Sequence, residues 1–137
     1  MTHCTLIQPE QVIDLRWRVL RAGRPRETAI FPGDEAARHH GLWQDERLLV
    51  VLSLFPTPLV HGGANYPQQL RGMATDPSSQ GQGLGSILLR AVQPLGPLWC
   101  NARIRARPFY ARAGWQPIGE TFEIPEVGPH QRMVWAP

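Results

Sequence analysis

Glycines at 81, 83 and 85, placed behind Gln80 and ahead of a periodic apolar run, are arranged for holding phosphate. In Gln80-Gly81-Gln82-Gly83-Leu84-Gly85-Ser86, backbone N–H groups at a helix start lack intrahelical acceptors and converge where the helix dipole favours negative charge. Glycine lets that backbone approach a ligand with no Cβ in the way. A glycine-rich turn between a strand and a helix is the plainer alternative. Two well-known phosphate loops fit poorly. A P-loop requires Gly-Lys-Ser/Thr, and all 14 Lys+Arg residues here are arginine. A dinucleotide fingerprint has G-x-G-x-x-G spacing inside a parallel βαβ unit, whereas these glycines alternate and follow four predicted strands. The absence of lysine also removes side-chain Schiff-base chemistry.

The elements that must position this loop can be read from periodicity. Residues 5–7 read as a short strand. Pro9 suits the first turn of a helix whose apolar face holds Val12, Ile13, Leu15, Trp17, Val19 and Leu20, and which stops before Gly23-Arg24-Pro25. Residues 24–35 read as a loop, and residues 41–43 and 47–55 flank Gln44-Asp45-Glu46 as a hairpin. Residues 56–67, with three prolines and two glycines, read as a loop; residues 69–75 form the next strand. Leu84, Ile87, Leu88, Ala91, Val92 and Leu95 then recur at helical spacing until Pro94 and Gly96-Pro97 end the run. Residues 98–102 are a buried strand. Ala106, Phe109, Tyr110 and Ala113 line one face of a second helix stopped by Gly114, and residues 119–124 and 132–136 are the closing strands. The order β-α-β-β-β-α-β-α-β-β predicts one α+β domain over residues 1–137 on a mixed sheet.

Composition narrows the classes. The chain has 137 residues, 42% of them apolar and 18% charged, enough to bury one core. Fourteen arginines against 11 acids leave a net charge of only +3. The run Arg16, Arg18, Arg21, Arg24, Arg26 is flanked by Glu10, Asp14 and Glu27 and accompanied by no recognition motif, so no nucleic-acid partner is expected. Cys4 and Cys100 are far apart and the five histidines show no ligand spacing, so neither a disulfide scaffold nor a metal site is expected. The longest apolar run, residues 48–55, suits a sheet strand and not a bilayer, and Met-Thr-His is no signal core. A cytoplasmic protein with no membrane partner is the expectation.

One family matches these residues. The segment Leu70-Arg71-Gly72-Met73-Ala74-Thr75-Asp76-Pro77, continuing through Gln80-Gly81-Gln82-Gly83-Leu84-Gly85 to Leu88-Leu89, resembles the acetyl-CoA motif of GNAT N-acetyltransferases. The family pattern Q/R-x-x-G-x-G/A falls on Gln80, Gly83 and Gly85. Downstream, Ala106-x-x-Phe109-Tyr110-Ala111-Arg112-Ala113-Gly114-Trp115 resembles the family's A-x-x-F-Y-x-K/R-x-G-F, with Trp replacing Phe. Phe122-Glu123-Ile124-Pro125 and Gly128-Pro129-His130 through Met133 are similar to a bacterial branch of unknown substrate.

The resemblance implies a GNAT-like mixed, mostly antiparallel sheet flanked by helices, with acetyl-CoA in the splay between two central strands. It implies direct transfer of an acetyl group to a primary amine, a small molecule; a non-catalytic acyl-CoA-binding or regulatory module of the same fold is the alternative. N–H groups of Gln80, Gly81, Gln82, Gly83, Leu84, Gly85 and Ser86 would bind pyrophosphate, and Met73, Ala74 and Thr75 would pair with the pantetheine arm. Asn101 is a candidate for bonding that arm, or is satisfied locally; Arg112 occupies the family's basic position. Tyr110 occupies the position of the general acid, or merely packs beside Phe109. No carboxylate lies in residues 71–75, so the candidate bases are His130, Glu123 and His40, with water relay as the alternative. Arg16 and Glu123 are candidate substrate contacts, although Arg16, inside an apolar stripe, needs a partner that Asp34 could supply. Trp99, Trp115 and Trp135 are candidate area for a homodimer interface.

Overall fold

From Leu49 to Phe55 the only polar residue is Ser53, a pattern that suits a strand covered on both faces. In the computed structural model, which describes residues 1–137, all seven are buried. The strands in chain order are β1 (Thr2–Ile7), β2 (Arg38–Gln44), β3 (Arg47–Phe55), β4 (Leu59–His61), β5 (Ala64–Tyr66), β6 (Gln68–Thr75), β7 (Leu98–Arg103), β8 (Gln116–Ile124) and β9 (Gly128–Trp135). Seven of them form one sheet in the order β1-β2-β3-β6-β7-β9-β8. Every pairing in it is antiparallel except β6 with β7.

That exception makes the site. β6 and β7 pair only at Gln68↔Leu98 and Gln69↔Trp99. Beyond those residues each strand is held by its outer neighbour, β6 by β3 and β7 by β9, so the two diverge and open a wedge in the sheet.

Helices cover both faces. α2 (Leu84–Val92) and α3 (Arg107–Arg112) pack on one side, where Leu88 and Leu89 are fully buried in a 17-residue cluster. Truncating either leucine to alanine would cost about 2–5 kcal/mol. On the other face, Val12 and Leu15 pack with Ile7, Val51 and Ala74. Val50 and Val51 belong to different clusters, as the strand's alternation requires. No helix is long and apolar enough to cross a membrane.

Several expectations change. The single helix expected after Pro9 is a helical segment of changing pitch: a 3-10 turn Pro9–Val12, α1 (Ile13–Leu15) and a π turn Arg16–Leu20. The widened turn begins at Arg16, whose side chain is tied into the core. Residues 56–67 contain a hairpin, not only loop. Gly62 and Gly63 both have positive φ, the geometry of a two-residue hairpin turn, and the prolines flank the strands instead of interrupting them. The closing strands start earlier than expected, at Gln116 and Gly128. Their register slips between Ile118 and Phe122, where the Gln131 amide donates to the Ile118 and Gly119 carbonyls. Trp99 and Trp115 are buried within the chain's own core, so they offer no area to a partner.

Candidate functional site

The wedge is widened by a bulge in β6. Ala74 faces Val51, but Arg71 faces Ser53, which leaves Gly72 and Met73 opposite the single residue Leu52. Gly72 has φ +67°, and a Cβ there would lie 2.8 Å from Arg16 Nε and 3.1 Å from Phe31. Only glycine fits. The bulge turns Arg71, Gly72 and Met73 together onto a cavity of about 550 Å³, whose far wall carries Asn101, Tyr110 and His130.

Tyr110 sits on α3, its ring 5.2 Å from Phe109 and 5.1 Å from Trp115 between centroids. Burial, and then the neighbouring Cys100 thiol, push its phenol well above the usual range, so it stays a neutral O–H donor. Burial likewise pushes the Cys100 thiol up.

His130 is buried on β9. Its Nδ1 lies 2.7 Å from the Gly128 carbonyl, which can only accept, so Nδ1 carries the proton. Nε2 then presents a lone pair, has no protein partner and is not sealed from the cavity. Asn101 Oδ1 accepts a long 3.4 Å hydrogen bond from Arg132 Nε, leaving its amide N–H groups free.

The second cavity, about 300 Å³, lies at the glycine loop and is lined by Thr75, Gln80, Gly83, Ser86 and Arg112 among others. Gly81 and Gly83 have φ near +80°, which turns successive N–H groups the same way. None of the backbone N–H groups from Gln80 to Ser86 has an acceptor within the protein. A Cβ on Gly85 would lie 3.4 Å from both Phe109 and Thr75. The loop is braced from behind, with Gln80 Nε2 donating to the Thr75 carbonyl and Asp76 accepting from the Ser78 amide and hydroxyl. Convergent free donors beside an arginine fit a pyrophosphate. The two cavities share β6 and α3, so Met73 and Tyr110 look onto one while Thr75 and Phe109 look onto the other.

Other expected residues lie elsewhere. Ala74 is buried against the helical segment, and the Gln82 side chain is exposed on the loop and lines neither cavity, so each has only its backbone to offer the site. Glu123 is exposed on β8 and lines neither cavity. His40 sits on β2, away from the wedge, its pKa lowered by burial and by Arg38 and His39. Arg16 is fully buried and lines neither cavity. Its Nη1 donates to Asp34 Oδ2 at 2.7 Å and to the Ala29 carbonyl, and its Nη2 to Asp34 Oδ1 at 3.0 Å and to Ser53 Oγ. It is therefore unavailable to a substrate carboxylate.

Sequence reasoning missed the lining residues Arg21, Phe31, Arg71 and Arg103. They come from four separate segments, and no short-range pattern joins them.

A family model described as an acetyltransferase (GNAT) domain matches residues 36–117. The uncharacterized N-acetyltransferase YitI of Bacillus subtilis (strain 168) is 33% identical over 140 residues, covering 95% of this chain and 93% of that protein. Among solved structures, Escherichia coli ElaA superposes with a TM-score of 0.72 at 18% identity, over 98% of this chain and 99% of that one. An aminoglycoside 6'-N-acetyltransferase complexed with coenzyme A superposes with a TM-score of 0.73 at 10% identity, over 98% and 96% of the two chains.

Proposed function

Because this chain belongs to the GNAT acetyltransferase family, we propose that it transfers an acetyl group from acetyl-CoA to the primary amine of a small molecule within the β6–β7 wedge. The observation that carries this reading is the row of unpaired N–H donors from Gln80 to Ser86, opening on the same two elements that carry Met73 and Tyr110.

Acetyl-CoA, when bound, supplies the acetyl group as a thioester. The loop N–H groups and Arg112 hold its pyrophosphate. The free edge of β6 at Met73 and Thr75, with the Asn101 amide, orients the pantetheine arm. His130 Nε2 accepts the proton that the acceptor ammonium must lose, because only the neutral amine has a lone pair for attack. The Tyr110 phenol donates a hydrogen bond to the departing sulfur. Its raised pKa suits it to stabilise a thiolate more than to surrender its proton outright. In balance, one C–N bond forms, one C–S bond breaks, and the products are the amide, CoA thiol and one proton.

No carboxylate lines the larger cavity, a feature that a non-catalytic acyl-CoA-binding module would share. Calorimetric binding of CoA, together with thiol release across a panel of amines, separates the readings. Binding with amine-dependent release supports the enzyme, binding with none supports the module, and no binding overturns both.

A further inference from the structure

The acceptor end of the larger cavity is strongly and singly charged. Arg21, Arg71 and Arg103 line it, and no Asp or Glu does. None of the three takes part in an ion pair; the paired arginines are Arg16, Arg18 and Arg24. Arg71 is the most constrained. It projects from the β6 bulge with its guanidinium 4.9 Å from the ring centres of both Phe31 and Phe55. Those aromatic contacts fix its plane while none of its N–H donors has an acceptor within the protein. Arg21 lies 5.3 Å from the same Phe31 ring and spends one N–H on the Leu20 carbonyl.

Charge in this position is costly. Burial and then Arg16 oppose the charge on Arg71, and its one attractive neighbour, Asp34, is already engaged by Arg16. Burial opposes Arg21 too, followed by Arg103, Arg24 and Arg71. Partly desolvated guanidiniums with no counter-charge are stabilised by an anion that enters the cavity, and a guanidinium fork matches carboxylate and phosphate oxygens in pairs.

We infer that the acceptor is a small primary amine that also carries an anionic group, a carboxylate or a phosphate, bound by Arg71 with Arg21 and Arg103. The inference rests on the acetyltransferase reading above. It excludes polycationic acceptors, because two or more ammonium groups would meet three guanidiniums with no acid to screen them. The same field helps the chemistry. Nearby positive charge disfavours the ammonium form of the acceptor, so the neutral nucleophile forms without a carboxylate base.

The test compares matched pairs: amino acids against their amides, and phosphoethanolamine against ethanolamine, with spermidine as the polycation. Thiol release is expected to show kcat/KM about 10- to 100-fold higher for the anionic member of at least one pair. The pair that responds tells carboxylate from phosphate. Arg71→Gln should bring that ratio toward unity, whereas Arg71→Lys should retain part of it. Arg103→Gln is the second variant should Arg71→Gln fail to fold. Equal rates within every pair, or spermidine as the best acceptor, would overturn the inference while leaving the acetyltransferase reading standing. Absence of CoA binding would overturn that reading itself. If CoA binds and no amine turns over, calorimetry with the same pairs decides: selective binding of the anionic member, lost in Arg71→Gln, supports the inference, and unselective binding overturns it.

Discussion

Arg16 and Asp34 form a two-pronged ion pair, Nη1 to Oδ2 at 2.7 Å and Nη2 to Oδ1 at 3.0 Å, that joins the first helical segment to the loop before β2. Burial pushes the Asp34 carboxyl up, but hydrogen bonds from Arg16 and the Phe31 amide outweigh it and hold the pKa below its usual value. The pair underlies the Gly72 bulge, since Arg16 Nε is the atom that a Cβ at Gly72 would meet. Asp34→Ala strands a fully buried guanidinium and should cost about 3–5 kcal/mol. For a domain of this size that lowers Tm by about 10 °C or more. The double variant Arg16→Met with Asp34→Leu should lose less than Asp34→Ala alone. Thermal unfolding of the two variants checks the order.

Tyr110→Phe removes one oxygen and leaves the contacts with Phe109 and Trp115 in place. Because a thiolate leaves tolerably well without help, the expected loss in kcat is about 100-fold, the low end for acid assistance. KM for acetyl-CoA and Tm should move little. An unchanged kcat with an intact fold assigns Tyr110 to packing alone.

His130 holds Nδ1 against the Gly128 carbonyl and leaves Nε2 facing the cavity, the geometry of a base for the incoming amine. His130→Gln should lower kcat/KM by about 10²-fold, with CoA affinity and Tm little changed. An unchanged kcat/KM in the folded variant would assign deprotonation to water or to the amine itself.

The glycine loop, the wedge strand β6 and the helices α2 and α3 are legible in the sequence because each is a local signal: alternating glycines, an apolar run, an i, i+3, i+4 stripe. Arg16 was conspicuous for a related reason, as a charge inside an apolar stripe, and Asp34 is the partner found. The cationic end of the larger cavity was invisible because Arg21, Arg71 and Arg103 converge from the end of a π turn, a bulge and a strand end. Pitch was equally hidden. Apolar spacing in residues 9–20 marks which side faces the core, but not that the turns pass from 3-10 through α to π. The hairpin at β4–β5 was obscured by prolines that prove to bracket it.

Asp76 ties the segment after β6 to the first helical segment. Hydrogen bonds from the Ser78 hydroxyl and amide, together with Arg18 at 3.1 Å, lower its pKa from 3.8 to about 2. A carboxyl depressed in the folded state stabilises the fold above its unfolded pKa and loses that contribution as pH falls through the folded value. The stability supplied by Asp76 should therefore be complete above about pH 4 and fade toward pH 2. The Tm gap between the parent and Asp76→Asn should be constant from pH 7 to 5 and close below pH 4. A gap independent of pH down to 2 would show that the hydrogen bonds do not depend on ionisation.

Gly83 tests the phosphate loop without touching the acceptor end. Its φ is +79° and a Cβ there meets nothing within 4 Å, so Gly83→Ala adds backbone strain and no clash. Such strain costs about 1–2 kcal/mol. The loop can relieve it by rotating the 83–84 peptide, which turns an N–H away from the point where the others converge. CoA affinity should then drop about 10-fold, with selectivity between paired amines unchanged, because Arg71 and Arg103 line the other cavity. Gly85→Val acts differently: it presses on Phe109 and Thr75, so both CoA affinity and Tm should fall. Calorimetric titration of CoA into both variants separates orientation of the loop from its packing. Unaltered affinity in both would remove the loop from the binding site.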